Sequence, residues 1–132
     1  MVLFPRTVLI VDDEPLIRFN LAETLMDEGF SVVEAANVLE AVAILGKTHI
    51  DALVTDVDMP GGLDGFDLAR LVRRLDPRVA IVITSGGRTC RDAKMPDGCA
   101  FLAKPYRLED VLATIIANAG EMAQSSLCSL AG

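Results

Sequence analysis

Ala52-Leu53-Val54-Thr55-Asp56-Val57-Asp58-Met59-Pro60 is an apolar run with β-branched residues that stops at a carboxylate and passes into proline. Such a run reads as a buried strand, and Met59-Pro60-Gly61-Gly62 cannot continue a ladder. Asp56 therefore sits where a strand leaves the core. In an open α/β sheet that is where ligands bind and reactions occur. Read alone, the same Asp fits equally well as a strand terminator that caps the next segment.

Similar runs lie on both sides of it. Thr7-Val8-Leu9-Ile10-Val11 ends in Asp12-Asp13-Glu14-Pro15, and Ser31–Ala35 forms a second strand. Val79-Ala80-Ile81-Val82-Ile83 stops at Thr84-Ser85-Gly86-Gly87, and Ala100-Phe101-Leu102-Ala103 stops at Lys104-Pro105. Between them the apolar period lengthens to that of helices. Ile17, Leu21 and Leu25 mark the first, entered through Pro15 with acids near its N-terminus. Val38, Ala41, Val42 and Leu45 mark a second behind the cap Asn37. Leu68, Leu71, Val72 and Leu75 mark a third from about Gly65. Leu108, Val111, Leu112, Ile115, Ile116 and Ala119 mark a last helix from about Arg107. Residues 88–98 contain Pro96 and Gly98 and lack a clean period, so the fourth helix is expected to be short or irregular.

Strands alternating with helices imply an α/β fold: a doubly wound five-stranded parallel sheet with helices on both faces, flavodoxin-like, in the order 2-1-3-4-5. The 132 residues and 52% hydrophobic content suit one core, with residues 1–120 as the domain and 121–132 as a short tail without an output domain. A net charge of -7 argues against a nucleic-acid face. Arg70, Arg73 and Arg74 read as the solvated face of a helix. Three cysteines and one histidine without metal-ligand spacing suit a reducing, cytoplasmic setting. No signal peptide is expected, and no run approaches the ~18 apolar residues of a membrane span.

In that strand order, strands one, three, four and five are consecutive neighbours, and each ends in a reactive group. Asp12-Asp13, Asp56, Thr84 and Lys104 should therefore share one crevice. Like charges ~4 Å apart at an effective dielectric of ~20 cost about 4 kcal/mol per pair, so either a proton or a cation must enter. An all-oxygen donor set favours a hard divalent ion, Mg²⁺ foremost. A metal, an ammonium and a hydroxyl around one carboxylate are what phosphoryl transfer to that carboxylate requires.

These motifs resemble the receiver domain of bacterial two-component response regulators: Asp12-Asp13 after strand one, Asp56 before Met59-Pro60, Thr84 after strand four, and Lys104-Pro105 after strand five. The match spans residues 7–119 and suggests a stand-alone receiver. The resemblance implies an aspartyl phosphate on Asp56, donated by a histidine kinase or histidine phosphotransferase. It implies Mg²⁺, or Mn²⁺ in its place, held by the Asp13 and Asp56 carboxylates and the Asp58 main-chain carbonyl, with Asp12 acting through water. Thr84 would swing to the phosphoryl group, Lys104 would pair with its oxygens, and Phe101 would be the aromatic switch. The output face, and a possible homodimer contact, would be the fourth helix, fifth strand and fifth helix.

Two departures stand out. Asp58 is expected to tune phosphoryl lifetime. Gly61-Gly62-Leu63-Asp64-Gly65 is one residue longer than the usual Met-Pro-x-x-Asp-Gly loop. Three other functions compete. Asp56-Val57-Asp58 resembles the nucleophile motif of haloacid-dehalogenase-type phosphatases, though the strand-one acids have no place in that scheme. A flavin module would need a Ser/Thr/Gly phosphate loop where Asp-Asp-Glu stands. A non-switching scaffold would not need the full acceptor, acid and lysine set.

Overall fold

The computed structural model describes residues 6–86, 96 and 98–123. The β-branched runs form β1 (Thr7–Val11), β2 (Ser31–Ala35), β3 (Ala52–Asp56), β4 (Ala80–Ser85) and β5 (Ala100–Ala103). They pair in parallel in the order β2-β1-β3-β4-β5, as expected. The helices among the described residues are α1 (Pro15–Asp27), α2 (Val38–Leu45), α3 (Gly65–Leu75) and α4 (Leu108–Ala123). The helix counted as fifth in the sequence is thus α4. The irregular fourth helix expected within 88–98 lies almost wholly outside the described residues, as does the end of the tail.

Alternation along each strand splits the core into two layers. Leu9, Val11, Leu53, Ile81 and Ile83 pack with Ala41 of α2 and with Phe66, Leu68, Ala69 and Val72 of α3. Val8, Ile10, Val54 and Val82 pack with Leu21, Ala22 and Leu25 of α1 and with Val111 and Ile115 of α4. Both faces of the sheet are covered, so the central strands are apolar throughout rather than alternating.

The buried helix faces differ in part from the expected stripes. In α3 the face runs Gly65, Phe66, Leu68, Ala69, Val72, and Leu75 is 62% exposed. Val42 in α2 and Ile116 in α4 are also exposed. α1 buries Leu21, Ala22 and Leu25 but presents Leu16, Phe19 and Met26 outward. It is apolar on both sides, which a count of the inward stripe does not reveal. The arginine cluster is not one solvated face either. Arg73 donates to the carbonyls of Pro77 at 2.7 Å and Val79 at 2.9 Å, fastening the turn after α3 to the start of β4.

Caps fix where the helices begin. The Asn37 side chain accepts from the Glu40 N–H at 2.8 Å, as expected, and the Glu40 carboxylate accepts from the Ala36 N–H at 2.7 Å. α3 starts with a reciprocal box, Asp64 accepting from the Asp67 N–H at 3.0 Å and Asp67 from the Asp64 N–H at 2.9 Å. The start of α3 is pinned directly onto β3: the Gly65 N–H donates to the Val57 carbonyl at 2.9 Å. A Cβ on Gly65 would collide with the Asp56 carbonyl oxygen. Glycine is needed there for close approach of backbone to backbone, and its neighbour is the residue that ends β3.

Candidate phosphoacceptor crevice

Register brings the strand ends into line. Val11 pairs with Thr55, Asp56 with Thr84, and Ser85 with Ala103, so Asp12, Asp56 and Lys104 emerge on the same edge. Carboxylate oxygens of Asp12, Asp13 and Asp56 lie within 4.8 Å of one another. Asp12 and Asp56 are buried at 2% and 6% exposure, and Asp13 is exposed, so the cluster opens to solvent on one side. Lys104 Nζ stands 3.4 Å from Asp12 Oδ2, 3.4 Å from Asp56 Oδ2 and 3.8 Å from Glu14 Oε1. The Lys104–Pro105 peptide bond is cis.

The electrostatics follow from burial. Asp56 is pushed up to about 6, first by removal of its carboxylate from water and then by repulsion from Asp12, against the pull of Lys104. Burial disfavours the Lys104 charge, but Asp12 and Asp56 outweigh it and hold the ammonium above its ordinary value. Tyr106 is pushed up to about 12 by burial and by the same acids, and its hydroxyl is buried without a hydrogen-bond partner among the described residues. One ammonium does not neutralise this many carboxylates. The all-oxygen, partly open donor set fits a hard divalent cation, which would relieve the remaining repulsion.

Of the residues expected at the site, Asp12, Asp13, Asp56 and Lys104 converge. Asp58 is exposed in the loop after β3. Phe101 is half-buried, pairs with Ile83, and packs against the core layer under α2 and α3. Thr84 pairs with Asp56 but does not lie beside Phe101. It pairs with Leu102 and follows Val82 on the α1/α4 face of the sheet, opposite the face that holds Phe101. The hydroxyl sharing a face with Phe101 is that of Ser85, which ends β4, pairs with Ala103 and is buried. Ser85 stands two residues beyond Ile83, the partner of Phe101, on the same face of β4.

Comparison with known proteins agrees with this geometry. The family model for the response regulator receiver domain matches residues 8–116. A segment of 114 residues is 37% identical to the transcriptional regulatory protein PdtaR of Mycobacterium tuberculosis, covering 84% of this chain and 55% of that one. A response regulator receiver protein of Anaeromyxobacter is 40% identical over 110 residues, covering 81% of this chain and 46% of that one. The chain thus spans about half the length of these curated relatives. The crystal structure of a response regulator receiver protein from Sinorhizobium medicae superposes with a TM-score of 0.84 at 28% identity, covering 92% of this chain and 99% of that one. The chain belongs to the response regulator receiver domain family.

Proposed function

We propose that the chain is a phosphorylation-controlled switch in which Asp56 accepts a phosphoryl group from a histidine kinase or histidine phosphotransferase. The observation that carries this reading is the crevice itself: a buried acceptor carboxylate, two further acids and a lysine at the aligned ends of neighbouring strands. Receiver domains as a family take phosphoryl groups from histidine kinases and are signalling modules rather than enzymes with a separate substrate.

In the proposed reaction an ionised Asp56 oxygen attacks phosphorus, and the P–N bond to the donor imidazole breaks with its electron pair left on nitrogen. Asp13, Asp56 and the Asp58 carbonyl would hold Mg²⁺, with Asp12 acting through water; bound there, the ion supplies neutralising charge for the phosphoryl oxygens. Lys104 exchanges its contact with Asp56 for one with a phosphoryl oxygen. The Ser85 hydroxyl then turns toward the same group, and Phe101, on the same face, fills the space it leaves. That movement would carry the state of Asp56 to the surface around β5 and α4.

A groove of about 430 Å³ lies beside the crevice, lined by Ile17, Asn20, Pro105, Tyr106 and Leu108, with Lys104 at its wall. α1, which lines the groove through Ile17 and Asn20, also exposes the apolar side chains of Leu16 and Phe19. This side of the crevice suits the phosphoryl donor, since it delivers the donor beside Lys104. No helix among the described residues is long and apolar enough to cross a membrane; the cytoplasmic site of action that we infer rests on the proposed histidine-kinase donor.

Lys104→Ala tests the coupling. Beryllofluoride with Mg²⁺ is expected to alter hydrogen exchange in β4 and β5 of the wild type and to leave those strands unaltered in the variant. An equal change in both proteins would remove Lys104 from the switch. Catalytic turnover of p-nitrophenyl phosphate would instead favour the phosphatase reading of Asp56 and Asp58.

A further inference from the structure

Asp12 is held by its main chain as well as its carboxylate. Its N–H donates to the Ala35 carbonyl at 3.2 Å, extending the β1–β2 pairing beyond β1. Its side-chain Oδ1 accepts from the Glu14 N–H at 2.9 Å. Its carbonyl oxygen accepts from Arg18 Nη1 at 2.7 Å. Arg18 also donates through Nε to Glu34 Oε1 at 3.1 Å. One guanidinium, 19% exposed, therefore bridges α1, the end of β1 and the edge strand β2.

The carbonyl that Arg18 grips belongs to the peptide that joins Asp12 to Asp13. A peptide unit is planar, so fixing its oxygen fixes the direction in which the chain leaves for Asp13. The exposed Asp13 carboxylate lies within 4.8 Å of oxygens of the buried Asp12 and Asp56, so the direction of this peptide bears on the spacing of all three. A guanidinium suits the task because its planar fork makes two bonds in set directions, which an ammonium cannot reproduce.

We propose that Arg18, oriented by Glu34, is a positioning residue that sets the spacing of the Asp12, Asp13 and Asp56 carboxylates for a divalent cation. The proposal rests on reading those acids as a cation site. Charge alone argues for the reverse effect: removing a cation from beside an acidic site should tighten binding of Mg²⁺. The sign of the change therefore separates orientation from simple attraction and repulsion.

Calorimetric Mg²⁺ titrations of the wild type, Arg18→Ala, Arg18→Lys, Glu34→Ala and Glu34→Gln test this, with the melting temperature of each metal-free protein recorded beside them. Arg18→Ala and Arg18→Lys are both expected to weaken Mg²⁺ binding on the order of tenfold. Glu34→Ala should weaken it in the same direction. Glu34→Gln, which keeps the acceptor oxygen but not the charge, should stay near wild type. Metal-free melting temperatures should change little, because a part-exposed ion pair adds little stability. Binding by Arg18→Ala as tight as wild type or tighter overturns the proposal, and so does equal weakening by Glu34→Gln and Glu34→Ala. If Arg18→Ala does not fold, the two Glu34 variants decide. Failure of the wild type itself to bind Mg²⁺ would instead remove the cation-site reading on which the proposal stands.

Discussion

Alanine at Gly65 is expected to destabilise the fold by about 2–4 kcal/mol, while alanine at Gly46 is neutral or slightly stabilising. At Gly65 the new methyl meets the Asp56 carbonyl oxygen and comes within 3.0 Å of the Val57 Cα. These are backbone atoms, so no flexible side chain can move aside. The Gly65–Val57 hydrogen bond holds the two segments together, and the Asp64–Asp67 box fixes where α3 begins. The helix propensity gained from alanine, about 1 kcal/mol, is smaller than the overlap. At Gly46 the same methyl would find only the Ala43 and Val42 carbonyls, at 3.6 and 3.8 Å. The backbone there is right-handed helical, so alanine strains nothing and restricts the unfolded chain. Urea unfolding of both variants measures the contrast. Because the displaced atoms belong to Asp56, Gly65→Ala should also slow labelling by acetyl phosphate under conditions in which it remains folded. Equal stabilities for the two variants would mean that α3 can slide away from β3.

Asp56→Asn is expected to stabilise the metal-free protein at pH 8. The folded carboxyl has its pKa raised from the ordinary 3.8 to about 6, chiefly by burial. Between those values the folded state keeps a proton that the unfolded state has lost. Stability linked to this group is therefore complete below pH ~4 and is lost as pH rises through about 6. Above that, the buried charge costs the fold about 3 kcal/mol. Asn has the same shape and no charge, so it avoids this cost, although Lys104 loses one of its acidic partners. Wild type and variant should converge on acidification to pH ~4. Mg²⁺ should close the gap from the other side by stabilising only the wild type appreciably, since it binds the folded state through the carboxylates. Thermal unfolding at pH 4, 6 and 8, with and without Mg²⁺, separates these effects. A destabilised Asp56→Asn at pH 8 would show that the Lys104 ion pair outweighs desolvation.

The strands and the site were legible in the sequence for one shared reason. In a parallel sheet covered on both faces, each strand is an unbroken apolar run, and the first charged residue after it marks the exit edge. Asp12, Asp56 and Lys104 are such residues. Helix faces were less legible because α1 is apolar on two sides, and because Val42 and Leu75 continue an apolar period past the point where the sheet covers it. Ser85, the hydroxyl proposed for the switch, is hidden in the sequence by the adjacent Thr84, and only the pairing of β4 with β5 shows which of the two shares a face with Phe101. Arg18 and Arg73 look like ordinary helix-surface charges. What sets them apart is a carbonyl at the end of a neighbouring strand or turn, and only tertiary structure brings those carbonyls within reach.

The central claim is that the buried carboxylate of Asp56 accepts a phosphoryl group. Intact-mass measurement after incubation with acetyl phosphate and Mg²⁺ tests it most directly. The wild type should gain one phosphoryl group that hydroxylamine removes, as expected of an acyl phosphate, and Asp56→Asn should gain none. Labelling of Asp56→Asn to the wild-type extent, or no labelling of a wild type that binds Mg²⁺, would contradict the assignment.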